Sequence, residues 1–165
     1  EMRATGEVMG IAESFGLAFY KAQTAAGYKL PLQGTVLLTI AEQDRKRLLP
    51  IAKRIAALGF KILATEGTSR FLDEHGIQNS LIKKLHEGRP NIGDAIKNAE
   101  MDLIMNTPIG KESKVDDSYI RMAAIQKKIP YVTSLAAAEA TVAGIEAMLK
   151  GRMVPKSLQE YHEAL

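Results

Sequence analysis

The chain has no cysteine and no tryptophan, and only 5% of its 165 residues are aromatic. Without cysteine there is no disulfide, no thiolate zinc site and no cysteine nucleophile, which is compatible with a reducing compartment. So few rings supply no platform on which bases could stack. Charge of one sign is equally scarce: 22 basic against 19 acidic residues leave +3 at pH 7, and the basic residues are interspersed with acids and apolar residues. Both features disfavour generic nucleic-acid binding. No apolar run approaches the ~20 residues of a membrane span, and no signal peptide is recognisable. The expectation is a cytoplasmic protein without a nucleic-acid or membrane partner. The three histidines lack metal-ligand spacing beside carboxylates, so no metal is expected.

What is present is enough for one ordinary domain, since 46% of the residues are hydrophobic. The seven methionines are scattered and read as core filling. Short, mostly unbroken apolar runs at 35–40, 61–65, 81–85, 103–107 and 130–134 predict strands covered on both faces, hence a parallel sheet. Helical patterns lie between them at 44–58 closed by Gly59, 69–74 closed by Gly76, 93–99, 117–127 before Pro130, and 136–149 before Gly151. This alternation predicts a doubly wound α/β domain. The first thirty or so residues stand apart, because 7–10 leads into a separate helix at 11–26 before the Pro31 break, and the chain opens with Glu1. They read as the trailing end of another unit of a longer polypeptide, the alternative being a trimmed independent protein.

The most informative stretch is 62–70, where an apolar run stops at Thr65-Glu66-Gly67-Thr68 and an amphipathic helix begins. A strand, tight turn and helix start aim backbone N–H groups and hydroxyls at one point, where the helix dipole also favours negative charge. A phosphate or carboxylate fits there; alternatively, Thr65 and Thr68 only end the strand and cap the helix. Ligands of such folds bind outside the carboxyl ends of the strands, so Thr65, Thr68, the Lys83-Lys84 pair, Asn106 and residues 131–134 are expected to converge on one crevice. His75, just before Gly76, suits a helix C-terminus, and His86 is placed to hydrogen-bond its own turn.

Thr5-Gly6-Glu7-Val8-Met9-Gly10, followed by Phe15, Ala18 and Lys21-Ala22, resembles the segment that closes the second synthetic half of the carbamoyl-phosphate synthase large chain. Ala64-Thr65-Glu66-Gly67-Thr68, Lys84-Leu85-His86-Glu87-Gly88-Arg89-Pro90, Ile96-Lys97-Asn98 and Ile104-Met105-Asn106-Thr107 resemble the regulatory domain that follows it. The resemblance implies a helical remnant over 1–30 and, over 31–165, a Rossmann-like three-layer methylglyoxal-synthase-like domain with a central five-stranded parallel sheet. It also implies an allosteric role, with UMP, and further IMP or ornithine, as effector. By that resemblance Thr65, Gly67 and Thr68 hold phosphate with Lys84 as cationic partner, and Asn106 with Thr107 meets ribose or base. Arg45, with Lys46 beside it, stands where the family can present a phosphate-facing lysine. Pro108 stands where a second threonine can occur and has no N–H to replace it. Tyr131 and Thr133 match the family's ornithine-side positions, but Val132 replaces an aspartate between them.

The same resemblance implies no cofactor in this chain itself and ATP with Mg or Mn in the intact enzyme. That enzyme makes carbamoyl phosphate from bicarbonate and glutamine for pyrimidine and arginine biosynthesis. The implied partners are the remainder of the large chain, a small glutaminase subunit and further copies in an oligomer. The competing reading is a methylglyoxal-synthase-type lyase, whose chemistry needs a carboxylate base in a Gly-Gly-Asp turn. Here that segment reads Gly88-Arg89-Pro90, and the lyases' His-Asp-Pro-Asp stretch falls on Ser113-Lys114-Val115-Asp116, so only the last Asp remains. Catalysis by this chain is therefore not expected.

Overall fold

The computed structural model describes residues 6–108, 111–151 and 154–163, and from 111 to 115 the backbone alone. Five strands, β1 (Thr35–Ile40), β2 (Lys61–Ala64), β3 (Ser80–Leu81), β4 (Leu103–Thr107) and β5 (Tyr131–Val132), form a parallel sheet in the order β3-β2-β1-β4-β5. The helices are α1 (Phe15–Ala25), α2 (Arg45–Ala57), α3 (Glu66–Glu74), α4 (Ile92–Lys97), α5 (Lys111–Gln126), α6 (Leu135–Lys150) and α7 (Leu158–His162).

The unbroken apolar run of β1 follows from burial on both faces. Val36, Leu38 and Ile40 pack with α1, α2, α3 and α6, whereas Leu37, one residue out of phase, packs with Ile104 under α4 and α5. Two apolar layers therefore sandwich one sheet, as the doubly wound pattern predicts. β1 sits between β2 and β4, so the chain winds outward one way and then the other, and the loops leaving β1 and β4 part at their carboxyl ends. Such a switch point opens a crevice.

Several boundaries differ from expectation; β5 is cut to Tyr131–Val132 and α1 starts at Phe15 rather than 11. The third strand covers only Ser80–Leu81; beyond it Ile82 still donates to Ala64 O at 2.9 Å and Lys83 bridges to Asn91, after which Leu85–Glu87 forms a 3-10 turn. As the edge strand it has a partner on one side only, so little holds it to the sheet. α3 starts at Glu66 rather than 69, because the Thr65 carbonyl already accepts from Thr68 and Ser69 N–H at 2.8 Å. α5 begins six residues before the expected 117.

α1 lies across α6 through small residues. A Cβ on Gly16 would stand 2.5 Å from the Ala143 carbonyl oxygen, so only glycine permits that approach. Tyr20 is buried in the larger core, with its hydroxyl on Leu30 O at 3.3 Å.

Candidate functional site

The carboxyl ends of four strands surround a cavity of about 830 Å3. After β1 the chain runs through a 3-10 turn, Glu42–Asp44, straight into α2, which sets Arg45 at the first helical position. Thr65 ends β2 and stands at the N-cap of α3, Lys84 follows β3, and Asn106 with Thr107 ends β4. Arg45, Thr65, Gly67, Lys84, Asn106 and Thr107 all line the cavity. Lys46 is exposed on the outer face of α2 and does not join them.

The two threonines have different situations. Thr65 makes no side-chain capping bond; its hydroxyl donates to Thr39 Oγ1 at 3.2 Å, and both residues line the cavity. Thr68, one turn into the helix, is buried behind the lining. Its hydroxyl accepts from Ile40 N–H at 3.0 Å and donates to Ile40 O at 3.3 Å, which pins the end of β1 to α3. Thr107 performs a related task, accepting from Ala41 N–H at 2.9 Å.

The start of α3 leaves the amides of Glu66 and Gly67 with no carbonyl one turn back to receive them. Across this end lies the Arg45 guanidinium: a Cβ on Gly67 would meet its Nη2 at 2.3 Å and its Cζ at 3.0 Å. Arg45 Nε is buried and has no hydrogen-bond partner. A buried donor without an acceptor costs about 1–3 kcal/mol, more when charged. The helix dipole, Arg45 and Lys84 together make an anion the natural acceptor.

The opposite wall is acidic and tied up. His86 Nδ1 and Asp116 Oδ2 pair at 3.0 Å, and both line the cavity. Asp117, 7% exposed, receives Asn106 Nδ2 at 2.9 Å and Arg121 Nη2 at 3.0 Å, and also the Tyr131 hydroxyl. Burial first, then the bond to Asp117, raises the Tyr131 pKa above the ordinary phenol value, with the bond from Asn106 opposing. His75 closes α3 with Nδ1 against Phe71 O at 2.8 Å.

Tyr131 and Thr133 do not join the crevice expected of them. They line a second cavity of about 470 Å3, together with Phe19, Tyr28, Arg121 and Thr141. Ser134 instead caps α6, accepting from Ala137 N–H at 3.2 Å. Thr39, His86, Asp116 and Asp117 are lining residues that the sequence did not single out for this site. Asp116 left a signal, being the last Asp of the lyase-like stretch; Ser113, Lys114 and Val115 of that stretch lie outside the described side chains. Among the described residues no cluster of His, Asp and Glu could hold a metal ion, and no helix is long and apolar enough to cross a membrane.

A family model described as the MGS-like domain matches residues 47–133. The chain is 52% identical over 164 residues to the carbamoyl phosphate synthase large chain of Archaeoglobus fulgidus, covering 99% of this chain and 15% of that one. It is 47% identical over 164 residues to the "Carbamoyl phosphate synthase large chain, C-terminal section" of Methanopyrus kandleri, covering 99% of this chain and 30% of that one. It thus spans less than a third of the length of either relative. A crystal structure of methylglyoxal synthase from Elizabethkingia anophelis superposes with a TM-score of 0.55 at 15% identity, over 78% of this chain and 97% of that one, a likeness of fold.

Proposed function

Because the chain belongs to the MGS-like domain family and is similar to the C-terminal section of carbamoyl phosphate synthase large chains, we propose that it is their effector-binding section. Its cavity at the strand ends holds the phosphate of a nucleoside monophosphate, UMP in the first place. The observation that carries this is the Arg45 guanidinium, which lines the cavity with its Nη2 laid over Gly67 at the start of α3. Arg45, the α3 amides, the Thr65 hydroxyl and the Lys84 ammonium meet the phosphate, while Asn106 and Thr107 meet the nucleoside. IMP is a weaker candidate, because Pro108 supplies no N–H.

In this reading the chain is not the catalyst. It biases attached synthetic domains, which use ATP with Mg or Mn and glutamine delivered through a small glutaminase subunit, by binding effector with different affinity in their active and inactive arrangements. The pathways served are those of pyrimidines and arginine, in a cytoplasmic oligomer. Residues 1–30 are the end of the preceding domain, and the packing of their helix α1 on α6 is the contact through which the effector's influence reaches it. Ornithine, approaching Tyr131 and Thr133, finds no Asp or Glu among the described residues that line their cavity, and Asp117 behind Tyr131 is already occupied, so it should not bind here measurably.

The lyase reading is not favoured. Arg89 is exposed and paired with Asp94 where a base would be needed, and the Asp117 carboxylate is occupied by three donors.

Calorimetric titration with UMP tests the proposal. Lys84→Ala should weaken UMP by roughly 1–3 kcal/mol, about 5- to 150-fold. Unchanged affinity would reduce Lys84 to a solvating charge, and absence of nucleotide binding would leave a purely structural role. Conversion of dihydroxyacetone phosphate to methylglyoxal would restore the lyase.

A further inference from the structure

Asn106 can offer a ligand either its amide oxygen or its amide hydrogens, and its neighbours decide which. Asp117 is a carboxylate that accepts only, paired with Arg121 Nη2 at 3.0 Å. The Tyr131 hydroxyl bonds to Asp117 Oδ1, so its single hydrogen is committed there. Facing Asn106, the Tyr131 oxygen must then accept, and it lies 2.6 Å from Asn106 Nδ2. The same Nδ2 reaches Asp117 Oδ1 at 2.9 Å. The amide nitrogen is thereby turned toward Asp117 and Tyr131 and the amide oxygen away from them, so the oxygen is the end of the group that Asn106 offers to the cavity it lines. The raised Tyr131 pKa keeps the phenol protonated, and the Arg121 guanidinium, with Cζ 5.6 Å from the Tyr131 ring centroid, backs the arrangement.

We propose that Asp117 is a positioning residue that fixes Asn106 as a hydrogen-bond acceptor, so that the cavity selects a phosphorylated ligand bearing an O–H or N–H donor at that depth. This rests on the reading of the cavity as a nucleotide site. For a uridine nucleotide the donor is either a ribose hydroxyl or the base N3–H. Asp117 lines the nucleotide cavity itself, whereas Tyr131 and Arg121 line the second cavity and hold Asp117 from behind.

The test compares UMP, 2′,3′-dideoxy-UMP, N3-methyl-UMP and inorganic phosphate on the wild-type chain and on Asp117→Asn and Tyr131→Phe. The first variant is nearly isosteric but can donate to Asn106 and let it flip; the second removes one hydroxyl that does not line the cavity. Wild type should bind one analogue about 5- to 15-fold more weakly than UMP, which identifies the donor. Asp117→Asn should shrink that ratio to about twofold or less, and Tyr131→Phe should lower it in part. Inorganic phosphate should bind all three proteins alike. In the NMR spectrum of the free protein, the Asn106 side-chain amide hydrogens should exchange slowly in wild type and faster in Tyr131→Phe. If inorganic phosphate and UMP both fail to bind wild type, the nucleotide reading fails and the selection with it. If UMP binds but neither analogue is disfavoured, if both variants keep the wild-type ratio, or if the amide exchanges fast from the start, the assignment of Asp117 is overturned.

Discussion

At position 67 the absence of one methyl group decides whether a guanidinium can lie on the end of a helix. Alanine there would place Cβ 2.3 Å from Arg45 Nη2, so the side chain must leave the α3 amides. Alanine is also the better helix former, by up to about 1 kcal/mol. Gly67→Ala should therefore leave the melting temperature unchanged or slightly raised while lowering phosphate affinity by about tenfold or more, one to two charged hydrogen bonds. Parallel thermal melts and phosphate titrations check it; full affinity in the variant would remove Arg45 from the site. The neighbouring threonines mark the limit of what the sequence tells at this scale. Thr65 and Thr68 are alike in type and three residues apart, yet one lines the cavity and the other staples β1, because Ile40, 28 residues upstream of Thr68, takes the second hydroxyl. Asp117 was illegible for a similar reason: its importance comes from Tyr131 on another strand.

Among the elements, the central strands were the legible ones. Residues 35–40 and 103–107 are apolar throughout because the sheet is covered on both sides, and the observed strands have those limits. The edge was misjudged because Ile82 and Leu85 are apolar for a different reason, packing under the chain as it leaves the sheet toward the 3-10 turn. Between helices, Arg54 of α2 grips Glu146 of α6 with Nε to Oε1 and Nη2 to Oε2, both at 2.8 Å. The hydrogen bond and charge of Arg54 hold the Glu146 carboxyl below its ordinary 4.5, partly opposed by burial. A lowered folded-state value stabilises fully above the unfolded value and is lost as pH falls through the folded one. The pair is partly exposed, so about 0.5–1 kcal/mol is at stake. Glu146→Gln should lose that increment at neutral pH and show a flatter stability curve between about pH 5 and 3 in denaturant titrations. An unchanged neutral stability would show the bridge to be energetically silent.

For the molecule as a whole, the order β3-β2-β1-β4-β5 puts a crevice between β1 and β4, the place where the alternation of strands and helices led us to expect one. That same order sends Tyr131, on the outer strand, to a separate cavity, which a strand list alone does not reveal. The crevice brings the start of α3, Arg45 and Lys84 into one cavity, and on the proposed reading this positive charge meets a phosphate rather than a nucleoside. Calorimetry with UMP and with uridine on the same protein isolates that contribution. Two or more charged hydrogen bonds at about 1.5–3 kcal/mol each predict UMP tighter than uridine by about a hundredfold or more. Equal affinity for the two, or saturable binding of uridine alone, would contradict the phosphate site.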